Sequence, residues 1–148
     1  MSDQPKFLTR RRVLQGLVSS LSLTIANTSY AQIDSLLTKH YGAAGITNGK
    51  VSIKLPALAE NGNSVPIAVR YSGDERVDNL RIFAPENPEP LLTEIHFGQQ
   101  QSLVEIKTRI RLANSQTVMA VVETRDGELF AGTAKTVITL AACVEPLL

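Results

Sequence analysis

The sequence predicts an all-β chain, an antiparallel sandwich preceded by one short helix, and three observations carry that expectation. From Val104 to Leu112 apolar or Thr residues alternate with charged ones over nine positions, the period of a strand with one face buried and the other wet. Seven or eight such runs, most of them shorter, fall within roughly ninety residues and are separated by Gly, Asn, Asp and Pro. Asp126-Gly127 stands between two of them, a strong hairpin signal. With no long helical period among the strands, the pattern is that of an immunoglobulin-like sandwich.

The chain opens with Thr9-Arg10-Arg11-Arg12-Val13-Leu14-Gln15 and an apolar stretch from Leu14 to Ile25. Arg10 and Arg11, preceded by Thr9 and followed by an apolar pair, fit the twin-arginine export pattern except that Val13 stands where Phe is usual. Ser29-Tyr30-Ala31 places small residues where a signal peptidase reads, so the expected cut lies between Ala31 and Gln32. A stable membrane anchor is not expected, because the apolar run is about a dozen residues against the ~20 a span needs.

Removing residues 1–31 leaves residues 32–148 as one domain, a size that supports a single core. The signal carries Lys6, Arg10, Arg11 and Arg12 against Asp3. Of 15 basic and 14 acidic residues, 11 and 13 therefore remain, a formal charge of −2. A nucleic-acid partner is not expected at that balance.

Ile33, Leu36, Leu37 and Tyr41 recur at near-helical spacing, predicting a short amphipathic helix ended by Gly42 and Gly45. The strands follow as Val51 to Leu55, Val65 to Tyr71, Val77 to Phe83, Leu92 to Phe97, Val104 to Leu112, Val118 to Glu123, Leu129 to Ala134 and Thr136 to Leu140. Pro85-Glu86-Asn87-Pro88-Glu89-Pro90 reads as a rigid loop between two of them. Trp is absent, so the core rests on Val, Ile and Leu.

No chemistry-bearing constellation stands out. His40, His96 and one cysteine show no metal-ligand spacing, and neither GxxxxGK nor GxGxxG occurs. No cofactor is expected. The single cysteine, Cys143, has Ala142, Val144 and Glu145 for neighbours, and a nearby carboxylate raises a thiol pKa. At an ordinary thiol pKa of about 8.5 only a small fraction is thiolate near neutral pH, so Cys143 is not a self-activated nucleophile. It lies in a segment, 141–148, that follows the last strand and is expected to extend into solvent. An odd cysteine in an oxidising compartment pairs with another molecule or is kept for chemistry, while a small buried apolar residue is the other reading of it.

Several motifs resemble the SoxY family, the sulfur-carrier subunits of the thiosulfate-oxidising multienzyme system. They are the twin-arginine signal, Lys54-Leu55-Pro56, AENGxxVP from Ala59 to Pro66, Asn87-Pro88-Glu89-Pro90, TRIRLA from Thr108 to Ala113, and a final strand running into a C-terminal cysteine. The resemblance implies a periplasmic carrier and not an enzyme. It implies a heterodimer with a SoxZ-like subunit that leaves the cytoplasm with it, and covalent attachment of sulfur intermediates to Cys143. It also implies transient contact with a haem protein that conjugates thiosulfate and with a hydrolase that releases sulfate. Members of the family typically end Gly-Gly-Cys-Gly-Gly. Here Ala141-Ala142 precede Cys143 and Val144-Glu145-Pro146-Leu147-Leu148 follow it. Glycine opens φ values closed to other residues and presents no side chain to a tunnel, and Pro146 fixes its own φ. That change leaves two further readings beside the carrier, an interaction module without cargo and a dimer linked through the thiol.

Overall fold

The computed structural model describes residues 28–98 and 104–140. The helix α1 (Thr28–Tyr41) is followed by strands β1 (Ile46–Asn48), β2 (Val51–Lys54) and β3 (Leu58–Ala59), then a 3₁₀ turn (Gly62–Ser64). Strands β4 (Val65–Tyr71), β5 (Val77–Phe83), β6 (Leu91–His96), β7 (Val104–Ile110), β8 (Gln116–Thr124) and β9 (Leu129–Ile138) complete the chain. Two sheets face each other. The larger has the order β1-β9-β8-β5-β6 with β3 also on β9, and the smaller is β2-β4-β7. The chain is thus mostly β with antiparallel sheets and one short helix, the immunoglobulin-like sandwich the alternation predicts.

The inner faces make the main core. Val65, Ile67, Val69 and Tyr71 of β4 are buried at every second position, and they meet Leu80 and Ile82 of β5 and Val118, Ala120 and Val122 of β8. That is the pleat expressed as packing, odd positions in and even positions out. Charged residues fill the outer face of β7, where Glu105 and Lys107 pair at 3.1 Å. Lys107 is also the main cause of a Glu105 carboxyl held below its ordinary pKa.

The larger sheet is buried on its second face as well. Phe83, Met119, Val121, Leu129 and Ala131 point away from the sandwich and are covered by Ile33, Leu37 and Tyr41 of α1. This explains the unbroken apolar run Val118-Met119-Ala120-Val121-Val122 in β8, since a strand wet on one side would alternate. Arg81 fixes the edge of this layer. Its guanidinium binds Glu94 at 2.7 Å and Glu123 at 3.3 Å and lies 5.0 Å from the centre of the Tyr41 ring.

Gly42 ends α1 in the left-handed region, φ 65°, and its N–H donates to the Thr38 carbonyl at 2.9 Å, an αL cap. Between β1 and β2 the chain leaves the larger sheet for the smaller one at Gly49, φ 113°. It returns at β3, so β1 and β3 lie parallel on the same edge of β9, against Leu129–Ala131 and Val137–Ile138. Between those two pairings Val51 passes directly over Gly132. The hairpin at Asp126-Gly127 forms as predicted, with Gly127 at φ 82° and the Thr124 hydroxyl accepting from the Glu128 N–H.

The differences from expectation are local. The two strands expected from 129 to 140 are one, because Thr133, Ala134, Lys135 and Thr136 all continue the ladder with β8. The helix begins at Thr28, before the first apolar position of its stripe.

In the turn before β5, Glu75 accepts hydrogen bonds from Lys50 Nζ and, at 2.6 Å, from the Tyr71 hydroxyl. Lys50 lies 4.3 Å above the Phe130 ring. Chiefly through the Lys50 bond, and next through Tyr71, the Glu75 carboxyl is held down at about 2. A folded pKa below the unfolded one gives stability that is present above about pH 4.5 and lost as pH falls toward 2. Glu75→Gln should therefore lower the thermal midpoint at pH 7, and its deficit relative to wild type should shrink between pH 4.5 and pH 2. Parallel melts at pH 7 and pH 3 check this; a deficit that stays constant would show the ion pair to be irrelevant.

Candidate functional site

The last strand is fastened along its final residues to the segment 56–62. The Thr136 hydroxyl, fully buried, donates to the Pro56 carbonyl at 2.7 Å. Val137 N–H donates to Ala57 O at 2.9 Å and Thr139 N–H to Ala59 O at 3.1 Å, while the Thr139 hydroxyl donates to Glu60 O. Gly62 N–H reaches the Leu140 carbonyl at 2.8 Å. On the other side of β9, Ser115 Oγ accepts from the Ile138 N–H at 2.8 Å. Hydrogen bonds thus hold the backbone as far as Leu140, the residue immediately before the segment that bears Cys143.

The other sequence motifs converge on the same end of the sandwich. Gly62 O accepts from Leu112 N–H at 2.9 Å, joining AENGxxVP to TRIRLA through one residue that also holds Leu140. Arg109 of TRIRLA donates to both the carbonyl and the hydroxyl of Ser64, at 3.2 and 3.3 Å. Asn87 of the proline-rich loop is buried and donates through Nδ2 to Arg111 O at 2.8 Å. Its Oδ1 accepts from Ala113 N–H and from Gln116 Nε2, both at 2.9 Å, and Gln116 Oε1 in turn accepts from Glu86 N–H. A buried polar side chain with every group partnered specifies one geometry, because any alternative leaves a donor or acceptor orphaned. These contacts tie the proline-rich loop, the end of β7 and the start of β8 together at the end of the sandwich where β9 finishes.

Cys143, Arg10 and Arg11 lie outside the described residues. Ala31 and Gln32 fall within α1. Arg111 is exposed beside Arg109 at the end of β7, and His96 stands exposed with its Nε2 3.5 Å from Glu94. Among the described residues no three His, Cys, Asp or Glu side chains gather as metal ligands, and no helix is long and apolar enough to cross a membrane. Sequence reasoning did not find Asn87, Gln116, Gly62 or Thr136 as parts of this end. The signal available was the density of Asn and Gly in segments that otherwise read as ordinary turns.

Comparison with known proteins agrees with this geometry. No curated protein sequence matches the chain. Among solved structures, the sulfur carrier protein SoxY from Chlorobium limicola f thiosulfatophilum is similar at 26% identity and a TM-score of 0.65, over 76% of this chain and 100% of that one. A superoxide reductase-like protein from Thermotoga maritima shares the fold alone, at 14% identity and a TM-score of 0.51, over 64% of this chain and 93% of that one. The family described as sulfur oxidation protein SoxY matches residues 37–143, a span that starts in α1, takes in both sheets and the fastened end of β9, and finishes on the single cysteine. The chain therefore belongs to the SoxY family of sulfur oxidation proteins.

Proposed function

We propose that this protein is a periplasmic sulfur carrier, exported by the twin-arginine pathway and paired with a SoxZ-like subunit, whose Cys143 holds sulfur intermediates covalently. The observation that carries the reading is the fastening of β9 up to Leu140, three residues before the only cysteine of the chain. A carrier thiol needs a fixed point of departure and reach, and the chemistry is supplied by the proteins it visits.

The Cys143 thiol loses its proton, its sulfur bonds to the outer sulfur of thiosulfate, and the two electrons released pass to the conjugating haem protein. Water then attacks the sulfonate sulfur in the hydrolase. The S–S bond to the sulfonate breaks, sulfate leaves, and a persulfide remains on Cys143. None of these steps calls for a base beside the thiol on the carrier itself.

Intact mass spectrometry of the protein purified with its partner from thiosulfate-grown host cells tests the reading. A reductant-labile adduct is expected, absent from Cys143→Ser, on a chain beginning at Gln32. The arm composition favours one other reading, since Ala141-Ala142-Cys143-Val144 lacks the glycines typical of the family. On that reading the partner copurifies while Cys143 remains a bare thiol.

A further inference from the structure

The two faces of the smaller sheet differ in kind. Its inner face is apolar, while on its outer face Lys54 of β2, Arg70 of β4, and Lys107 and Arg109 of β7 are all exposed. Arg111, also exposed, continues the alternation just past β7, and Glu105 is the one acidic residue among them. The described residues hold 11 basic and 12 acidic side chains; with five and one of these, the face carries a formal +4 and the rest of the described chain −5. A face that is merely solvated mixes its signs. Among the described residues Lys54, Arg70, Arg109 and Arg111 make no ion pair, and Glu105 is taken by Lys107 at 3.1 Å. Glu60, Asp74 and Glu75 lie in the segments before and after β4, and Glu75 is engaged by Lys50 and Tyr71.

Strand register turns these charges into a pattern. Lys54, Ala68 and Lys107 are partners across the three strands, so two lysines flank one small side chain, their Cα atoms about 10 Å apart at two strand spacings. Between them lies an open hollow of about 530 Å³, lined also by Pro56 and Pro66. Two residues along β4, a step of about 6.6 Å, Arg70 stands in the next row opposite Glu105; two residues the other way, Arg109 stands in the row of Pro66. Cations thus recur at the spacing of alternate residues in an extended chain. We propose that this face binds an extended segment of another protein that carries a carboxylate at every second residue and lies along the strands, with one carboxylate in the hollow between Lys54 and Lys107. This binding does not depend on the sulfur chemistry proposed for Cys143. The Glu105 carboxyl, held down first by Lys107 and then by Arg70 and Lys54, already uses part of the field that such a segment would meet. Complementary charge of this kind speeds encounter and selects the partner more than it adds affinity.

Two synthetic peptides of equal composition serve as probes, one alternating Glu and Thr, the other a block of Glu followed by a block of Thr. Binding is read at low ionic strength from amide shifts of the isotopically labelled full chain, residue by residue, because Arg10, Arg11 and Arg12 also attract carboxylates. The alternating peptide should shift β2, β4 and β7, bind about threefold tighter than the block peptide, and weaken as salt rises. Lys54→Gln, which removes a surface charge contact, and Ala68→Leu, which fills the hollow, should each weaken it by about twofold to fivefold. Lys107→Gln should cost more, since it also frees Glu105, and Glu105→Gln should tighten binding by about twofold or more. Lys39→Gln, on the helix that covers the larger sheet, is the control and should change nothing. Wild-type melting temperatures would show that the variants fold. No shift on the smaller sheet at millimolar peptide overturns the proposal, and so does equal affinity for the two peptides or a Glu105→Gln variant that binds no better. Self-association of the chain that these substitutions abolish also overturns it, by making the occupant a second copy.

Discussion

Asn87→Ala is expected to lower stability by about 3 kcal/mol, because it takes the side-chain partner from the Arg111 carbonyl and the Ala113 N–H in a buried place and leaves Gln116 Nε2 only its 3.3 Å contact to the Asn114 carbonyl. The same substitution on an exposed loop would cost almost nothing. Gln116→Ala should cost less, having the Asn87 and Glu86 contacts to lose. The double variant should fall short of the sum, with a coupling on the order of 1 kcal/mol, since both single changes remove the same Asn87 to Gln116 bond. Urea unfolding followed by far-UV circular dichroism measures all three, the chain having no Trp. Additive losses would mean that the two amides act separately and that the loop is not clamped through them.

Gly132→Ala should destabilise by about 2–3 kcal/mol, against the usual direction of a glycine-to-alanine change in a strand. An added Cβ would lie 2.4 Å from the Val51 carbonyl oxygen and 3.0 Å from its carbon, and both belong to backbone that cannot step aside. Val51 can move only by lifting β2 from β9 where the chain crosses between the sheets. Gly45→Ala is the control: nothing lies within 4 Å of that position, and the change should stay within about 0.5 kcal/mol of wild type. A neutral or stabilised Gly132→Ala would show that the two sheets slide over each other more freely than this contact allows.

Much of the sandwich was legible because alternation is a local property. Val65 to Tyr71 and Val77 to Phe83 were delimited from sequence to the residue. β1 and β3 were not, since two or three residues hold no period and their pairing depends on β9, some eighty residues later. The helix was found, but not that it covers the larger sheet, a fact carried by the opposite face of β8 and not by the helix itself. The motifs AENGxxVP, TRIRLA and Asn87-Pro88-Glu89-Pro90 were recognisable as strings. Their physical content is a set of hydrogen bonds between residues that are distant in sequence, which only the fold brings together.

The fastening of Leu140 by Gly62 bears on kinetics as well as on direction. With so few residues between a fixed point and the thiol, a partner of the proposed carrier resting on the domain would meet Cys143 at an effective concentration of about millimolar or more. The docking step itself can then be weak. On the proposed carrier cycle, a chain that must leave one enzyme before reaching the next gains from brief encounters, because a tight complex would raise occupancy at one station and starve the others. In that cycle the short tether would shift the burden from affinity to proximity, with turnover set by how fast the carrier lets go.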